Sequence, residues 1–174
     1  MSHEHKKDDS KFEHLKYSII IISDSRYKQV INNEVVDDLT IPRVKNILNK
    51  NKQHIESIDI IPDDIKFIKN KINQLIKESK SDIIITSGGT GIGKRDVTIE
   101  AMSSLYEKEL PGFGELFRRL SFDQVGVPSI LSRAKAGIFK NILIFNLPGN
   151  PNAVELALKE IIIPMAPHSI SMIR

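Results

Sequence analysis

Between Thr86 and Ala101 the chain reads TSGGTGIGKRDVTIEA. Four glycines (Gly88, Gly89, Gly91 and Gly93) fall within six positions, and Lys94, Arg95 and Asp96 follow at once. An isoleucine run at positions 83–85 precedes them, and a helix start follows. Strand, glycine loop, charged pair and helix is the order that turns backbone N–H groups toward a phosphate. Gly88 to Lys94 fits most of the Walker pattern G-x-x-x-x-G-K-[ST], but Arg95 stands where Ser or Thr would hold Mg²⁺. The loop is therefore read as a phosphate cradle of another type. Asp96 beside it would repel a phosphate unless a cation lay between them, and Mg²⁺ accepts carboxylate and phosphate oxygens together. Thr98 is the expected cap of the following helix, which leaves Asp96 outside it. Lys94 and Arg95 are placed to offset phosphate charge.

A second candidate lies in Asn146–Pro151, NLPGNP. Asn150-Pro151 is an N-cap followed by proline at the first helical position, and such a helix start can also hold an anion. Asp63, in IPDD, reads equally as a helix cap or as a ligand. Ser132-Arg133 reads as polar loop surface. No Ser-His-Asp arrangement emerges, and His54 and His168 have no evident partners in the sequence. His3 and His5 are read as part of a solvated, disordered tail over residues 1–15, rather than as metal ligands.

These residues need a scaffold that gathers distant loops. Tyr17–Ile22 is a continuous apolar run, as expected of a buried parallel strand. A polar insertion runs to Asp38. A helical stripe follows at Ile41, Val44, Ile47 and Leu48. Strands are predicted at Ile55–Ile61, Asp82–Thr86 and Ile138–Phe145. Further helices are predicted over Ile65–Ile76, Thr98–Tyr106, the stretch after the Pro-Gly turn up to Phe122, and Asn150–Ile162. Alternating strands and helices predict one domain over 16–174, an α/β fold: a three-layer α/β/α sandwich with a mainly parallel central sheet. Ligands of such sheets gather at the strands' carboxyl ends. Asp24, Asp63, the glycine loop and the Asn146 loop all fall there.

At 174 residues the length suits a single domain. A formal charge of +3 is too mild to argue for nucleic acid. The absence of cysteine excludes disulfides and thiolate chemistry. No apolar run approaches ~18 residues and no signal core is evident, so a cytoplasmic protein with no membrane association is expected.

The runs TSGGTGIGKRDVTIEA, ELPGFGELFRRLS, ILSRAKAG and NLPGNP, with ISDSR and IPDD ahead of them, resemble the molybdopterin-binding domain of the MoaB/MogA group of molybdenum cofactor biosynthesis. Gephyrin's G domain is a relative, and the short form here is most similar to MoaB. The resemblance covers Tyr17 to about residue 163. It implies a trimer or a dimer of trimers. It also implies adenylyl transfer from Mg-ATP to molybdopterin, with pyrophosphate released, ahead of a molybdate-inserting partner protein. On this sequence it assigns catalysis and Mg²⁺ binding to Asp63 and Asp96. The substrate contacts would be Ser87, Gly88, Gly89, Thr90, Gly91, Ser132, Pro148 and Gly149, with Lys94, Arg95, Asn146 and Asn150 beside them. Gly112–Phe117, GFGELF, suggests aromatic residues near an oligomer surface. Relatives usually carry Ser-Gly-Pro before the first helix, where this chain has Leu39-Thr40-Ile41-Pro42. Two other readings remain: a binding protein of the same pathway that holds the pterin without turnover, and a P-loop NTPase.

Overall fold

A computed structural model describes residues 12–78 and 80–174. Six strands form one sheet: β1 (Lys16–Ile22), β2 (His54–Ile61), β3 (Ile83–Ser87), β4 (Lys108–Glu109), β5 (Lys135–Phe139) and β6 (Ile142–Leu147). Their order is β2-β1-β3-β6-β5-β4. The four on the β2 side run parallel, and β5 and β4 join antiparallel. From β1 the chain goes outward to β2 and then returns to β3 on β1's other side. That reversal opens a crevice at the carboxyl ends of β1 and β3.

Helices cover both faces, so β1 buries both sets of its alternating side chains. Ile19, Ile21, Ile83 and Ile85 pack with Val44 and Leu48 of α2 (Thr40–Lys50), with Phe113 and Phe117 of α5 (Pro111–Val125), and with the C-terminal helix. Ile20, Ile22, Ile84 and Ile144 face the other way. They meet Ile68, Ile72 and Leu75 of α3 (Ile65–Glu78) and Met102 of α4 (Thr98–Ser103). The three-layer expectation is met. Each such buried aliphatic contributes about 1.5–3 kcal/mol relative to exposure.

Several elements differ from the sequence reading. The polar insertion contains α1 (Asp24–Ile31), which has no buried residue and hence no apolar stripe to reveal it. Ser23 caps it, its hydroxyl accepting from the Arg26 N–H. Positions 138–145 are not one strand. Lys140 and Asn141 both have positive φ (51° and 61°), and they turn the chain into the β5–β6 hairpin. Leu15, read as the last residue of the tail, belongs to the core. Leu15 is buried, and its N–H donates to Gln53 Oε1. His3 and His5 lie outside the described residues.

The last helix runs from α6 (Pro151–Ala157) through a π turn at Leu158–Ile162 into α7 (Ile163–Ile173). Its 23 residues match a membrane crossing in length and apolarity, yet Val154, Leu158, Ile162, Ala166 and Ile170 form a stripe within the core. It is a core helix. Phe113 and Phe117 are not at a surface: their rings stack 6.0 Å apart, and Phe113 meets Phe145 edge-on at 5.1 Å.

Candidate active site

The glycine loop is wedged into the crevice between β1 and β3. Gly88 has φ +120°, and a Cβ there would collide with the Ile22 carbonyl that ends β1. Its N–H donates to Leu147 O at 3.0 Å, which ties the loop to the end of β6. Gly89 has φ +66°, and a Cβ there would collide with Thr98 Oγ1 and lie 3.2 Å from Asp63 Oδ1. Both positions need glycine, for their positive φ and for the close approach of a neighbouring oxygen. Thr98 does not cap α4. Its hydroxyl donates to Gly88 O at 2.8 Å and its N–H to Gly89 O at 3.0 Å. The loop is thereby held rigid from the helix side.

Asp63 is no helix cap either. Asp64 is, since its Oδ1 accepts the N–H groups of Lys66 and Phe67 at 2.8 and 3.0 Å. Asp63 is free to face the loop. Its Oδ2 accepts the Asp24 N–H at 2.9 Å, and Asp24 Oδ1 accepts the Asp63 N–H at 3.1 Å. Burial pushes the Asp63 carboxyl above its usual range. The Asp24 N–H opposes that shift, the charges of Asp24 and Asp96 add to it, and Arg95 opposes it.

Asp96 sits on the loop's other side. Its Oδ2 accepts the Gly93 N–H at 2.8 Å, and a Cβ on Gly91 would lie 2.9 Å from the same oxygen. Both aspartates thus present hard oxygens against bare glycine backbone, a donor set that suits Mg²⁺. Among the described residues no three acidic or imidazole groups gather as a metal cluster. Mg²⁺ commonly takes only one or two protein carboxylates and fills the rest with phosphates and water, so two aspartates fit it.

Beside Asp96 opens a cavity of about 330 Å³. Gly89, Thr90 and Gly91 form one wall, and Pro148, Gly149 and Asn150 form another, with Ser132 between them. Ser87 lies beneath, its hydroxyl donating to Pro148 O at 3.2 Å. Asn150 accepts the Asn152 N–H at 2.8 Å and so caps α6 at the cavity rim. Asn146 does not line the cavity. It is fully buried, donates to Thr86 Oγ1 at 2.8 Å and accepts from the Tyr106 hydroxyl. It braces β6 against β3 below the site. Lys94 is exposed, whereas Arg95 is engaged by Asp24.

Two residues were missed in the sequence. Asp24 was placed at the strand end but given no role. Arg133 was read as surface, yet it bonds the glycine loop and Asp96 through backbone carbonyls that no motif displays.

Fold and site define an α/β protein with a glycine loop and two carboxylates beside a cavity at the carboxyl edge of a parallel sheet. The family model described as "Probable molybdopterin binding domain" matches residues 18–168. The "Probable molybdopterin adenylyltransferase" of Methanocaldococcus jannaschii is 41% identical over 149 residues, which cover 86% of this chain and 88% of that protein. "Molybdenum cofactor biosynthesis protein B" of Bacillus subtilis is 35% identical over 161 residues, 92% of this chain and 91% of its own length. Among solved structures, the tungsten cofactor synthesizing protein MoaB of Pyrococcus furiosus superimposes with a TM-score of 0.80 at 36% identity, covering 93% of this chain and 98% of that one. The chain belongs to this molybdopterin-binding family.

Proposed function

We propose that the protein adenylylates molybdopterin with Mg-ATP in molybdenum cofactor biosynthesis. The terminal phosphate oxygen of the pterin attacks the α-phosphorus of ATP. The α–β phosphoanhydride bond breaks, and pyrophosphate leaves. A phosphate monoester is already an anionic nucleophile, so alignment and charge neutralisation supply the catalysis. The carrying observation is the cavity with Asp96 beside it and two backbone cradles, Gly89–Gly91 and Pro148–Asn150, facing each other across it. Two cradles suit two phosphorylated substrates. Asp96 and Asp63 would hold Mg²⁺, whose charge would offset the triphosphate. Lys94 is available to the phosphates, and Arg95 becomes so when it leaves Asp24.

A second reading, pterin binding without turnover, is favoured by the Asp24–Arg95 pair, which leaves one cation fewer for a triphosphate. The Walker alternative fares worse. In a Walker loop the Gly-Lys-Ser segment opens the helix and presents its amides. Here α4 starts only at Thr98, and the Gly93 amide is turned inward to Asp96. Mixing protein, molybdopterin and Mg-ATP separates the three. Pyrophosphate released only with pterin supports adenylylation. Pterin binding without release supports the second reading, and orthophosphate without pterin supports an NTPase.

The reading extends to assembly. Phe122 and Val125 of α5, with Val127, Ile130 and Leu131 of the following 3₁₀ turn, are exposed apolar residues in one stretch. We read this face, rather than Phe113 and Phe117, as the contact of a trimer or a dimer of trimers. Sedimentation that finds only monomer at micromolar concentration would refute it. The adenylylated product then passes, in the cytoplasm, to a partner that inserts molybdate.

A further inference from the structure

We infer that Arg133 is a positioning residue that holds the glycine loop and Asp96 in working geometry, a role that rests on the adenylylation reading above. Its side chain makes contacts on two sides. Toward the loop, Nε donates to Gly91 O at 2.8 Å and Nη2 donates to Asp96 O at 2.9 Å. Toward α4, Nη1 and Nη2 meet the two carboxylate oxygens of Glu100. The Arg133 N–H also donates to Thr90 O at 3.0 Å. One residue therefore grips positions 90, 91 and 96, the three ends of the loop that face the cavity.

The geometry explains why arginine stands here. A guanidinium is a rigid planar fork whose donors point in fixed directions, so it can bond two carbonyls and a carboxylate at once. A lysine ammonium has the charge but no such fork. Glu100 has a second effect. It neutralises Arg133, and its own carboxyl is held below the ordinary value by that bond. The clamp thus carries no net charge toward the cavity, and Asp96 keeps its negative charge for a cation. Residues 91–96 otherwise have little to order them: Ile92, Gly93, Lys94 and Arg95 are all exposed. Beside the clamp, the loop is held by the Gly93–Asp96 bonds and by Arg95 on Asp24.

The test is Arg133→Lys in the full chain, with Glu100→Gln as the milder second variant. The first readout is amide hydrogen exchange without ligand. Exchange of the hydrogen-bonded Gly93 and Asp96 amides should quicken by about tenfold or more in Arg133→Lys, the ratio set by losing one bond to a charged group. Amides of β1 and β3 should be unchanged. The second readout is the Mg²⁺ concentration giving half-maximal transfer. It should rise by roughly 10- to 100-fold, as when a group supporting a metal ligand is removed, while pterin affinity stays near the wild-type value. Unchanged exchange at Gly93 and Asp96 overturns the clamp whatever the activity does. So does a rise spread evenly over the whole sheet, which marks general loss of stability. A wild-type chain that releases no pyrophosphate overturns the adenylylation reading instead, and the exchange result still decides the clamp.

Discussion

Asp24 and Asp63 hold each other in place through their backbones: each carboxylate accepts the other's N–H, at 2.9 and 3.1 Å. The pair spans the gap between the ends of β1 and β2. It fixes Asp63 with Oδ1 turned to Gly89. Two acids are thereby brought together at some electrostatic cost, relieved in part by Arg95 on Asp24.

That cost has a measurable sign. The Asp63 carboxyl is raised, first by burial. A raised acid binds its proton more tightly in the folded state. It favours folding while protonated, and that contribution is lost as pH rises through the raised value. Asp63→Asn keeps an oxygen for the Asp24 N–H and removes the charge. Without divalent ions, the variant should melt above wild type at pH 7, and the difference should shrink as pH falls through the raised value of the wild-type carboxyl. Its transfer rate should fall. Melting below wild type at pH 7 would show that the charge stabilises the fold.

Gly89 and Gly112 make a contrast in one residue type. A methyl at Gly89 collides with Thr98 Oγ1 and needs φ +66°, whereas nothing lies within 4 Å of one at Gly112. Gly89→Ala should cost about 1–3 kcal/mol of stability, the range for a strained backbone position, and should weaken pterin binding as well. Gly112→Ala, in the first turn of α5, should be neutral or stabilising. Urea denaturation of both variants checks this, and equal stabilities would refute the packing argument.

What the sequence revealed and what it hid follow from how the information is written. β1 and β3 were readable because strands buried on both faces are uninterrupted isoleucine runs. The glycine loop was readable because backbone approach demands glycine in series. The hairpin at Lys140-Asn141 was hidden because those residues adopt positive φ without the glycine that usually marks such a turn. The α1 helix has no buried side chain and so no period. Asp63 and Asp64 looked alike as caps, and only the structure shows that Asp64 takes that task. Arg133 was hidden because its loop partners are main-chain carbonyls.

The Tyr106–Asn146–Thr86 chain predicts a stability effect away from the ligand. Tyr106 packs over Gly137, where a Cβ would strike its ring, and its hydroxyl reaches buried Asn146. Burial raises the phenol well above its usual value, so it stays a donor at every pH near neutral. Tyr106→Phe leaves Asn146 Oδ1 buried without that donor and should cost about 1–3 kcal/mol. Molybdopterin affinity should hold, because Asn146 lies below the cavity rather than in it. A large loss of affinity at unchanged stability would return Asn146 to the ligand site.

Asp96→Asn sets the metal role against the structural one. Asp96 accepts the Gly93 N–H through Oδ2, and an asparagine oxygen accepts the same bond. It caps no helix, since α4 begins beyond it with no side-chain cap. Arg133 grips its backbone carbonyl, which the substitution leaves in place. Melting temperature should therefore change little. A neutral amide is a poor ligand for a hard cation and offsets none of its charge. Transfer should fall by about 10²-fold or more, the size of one lost electrostatic contact to the transition state. Pterin binding measured without nucleotide should be nearly unaffected, because Ser132, Thr90 and the Pro148–Asn150 wall stay in place. Wild-type turnover in this variant would remove Asp96 from the metal site. A fall of many degrees in melting temperature would assign it to holding the loop instead.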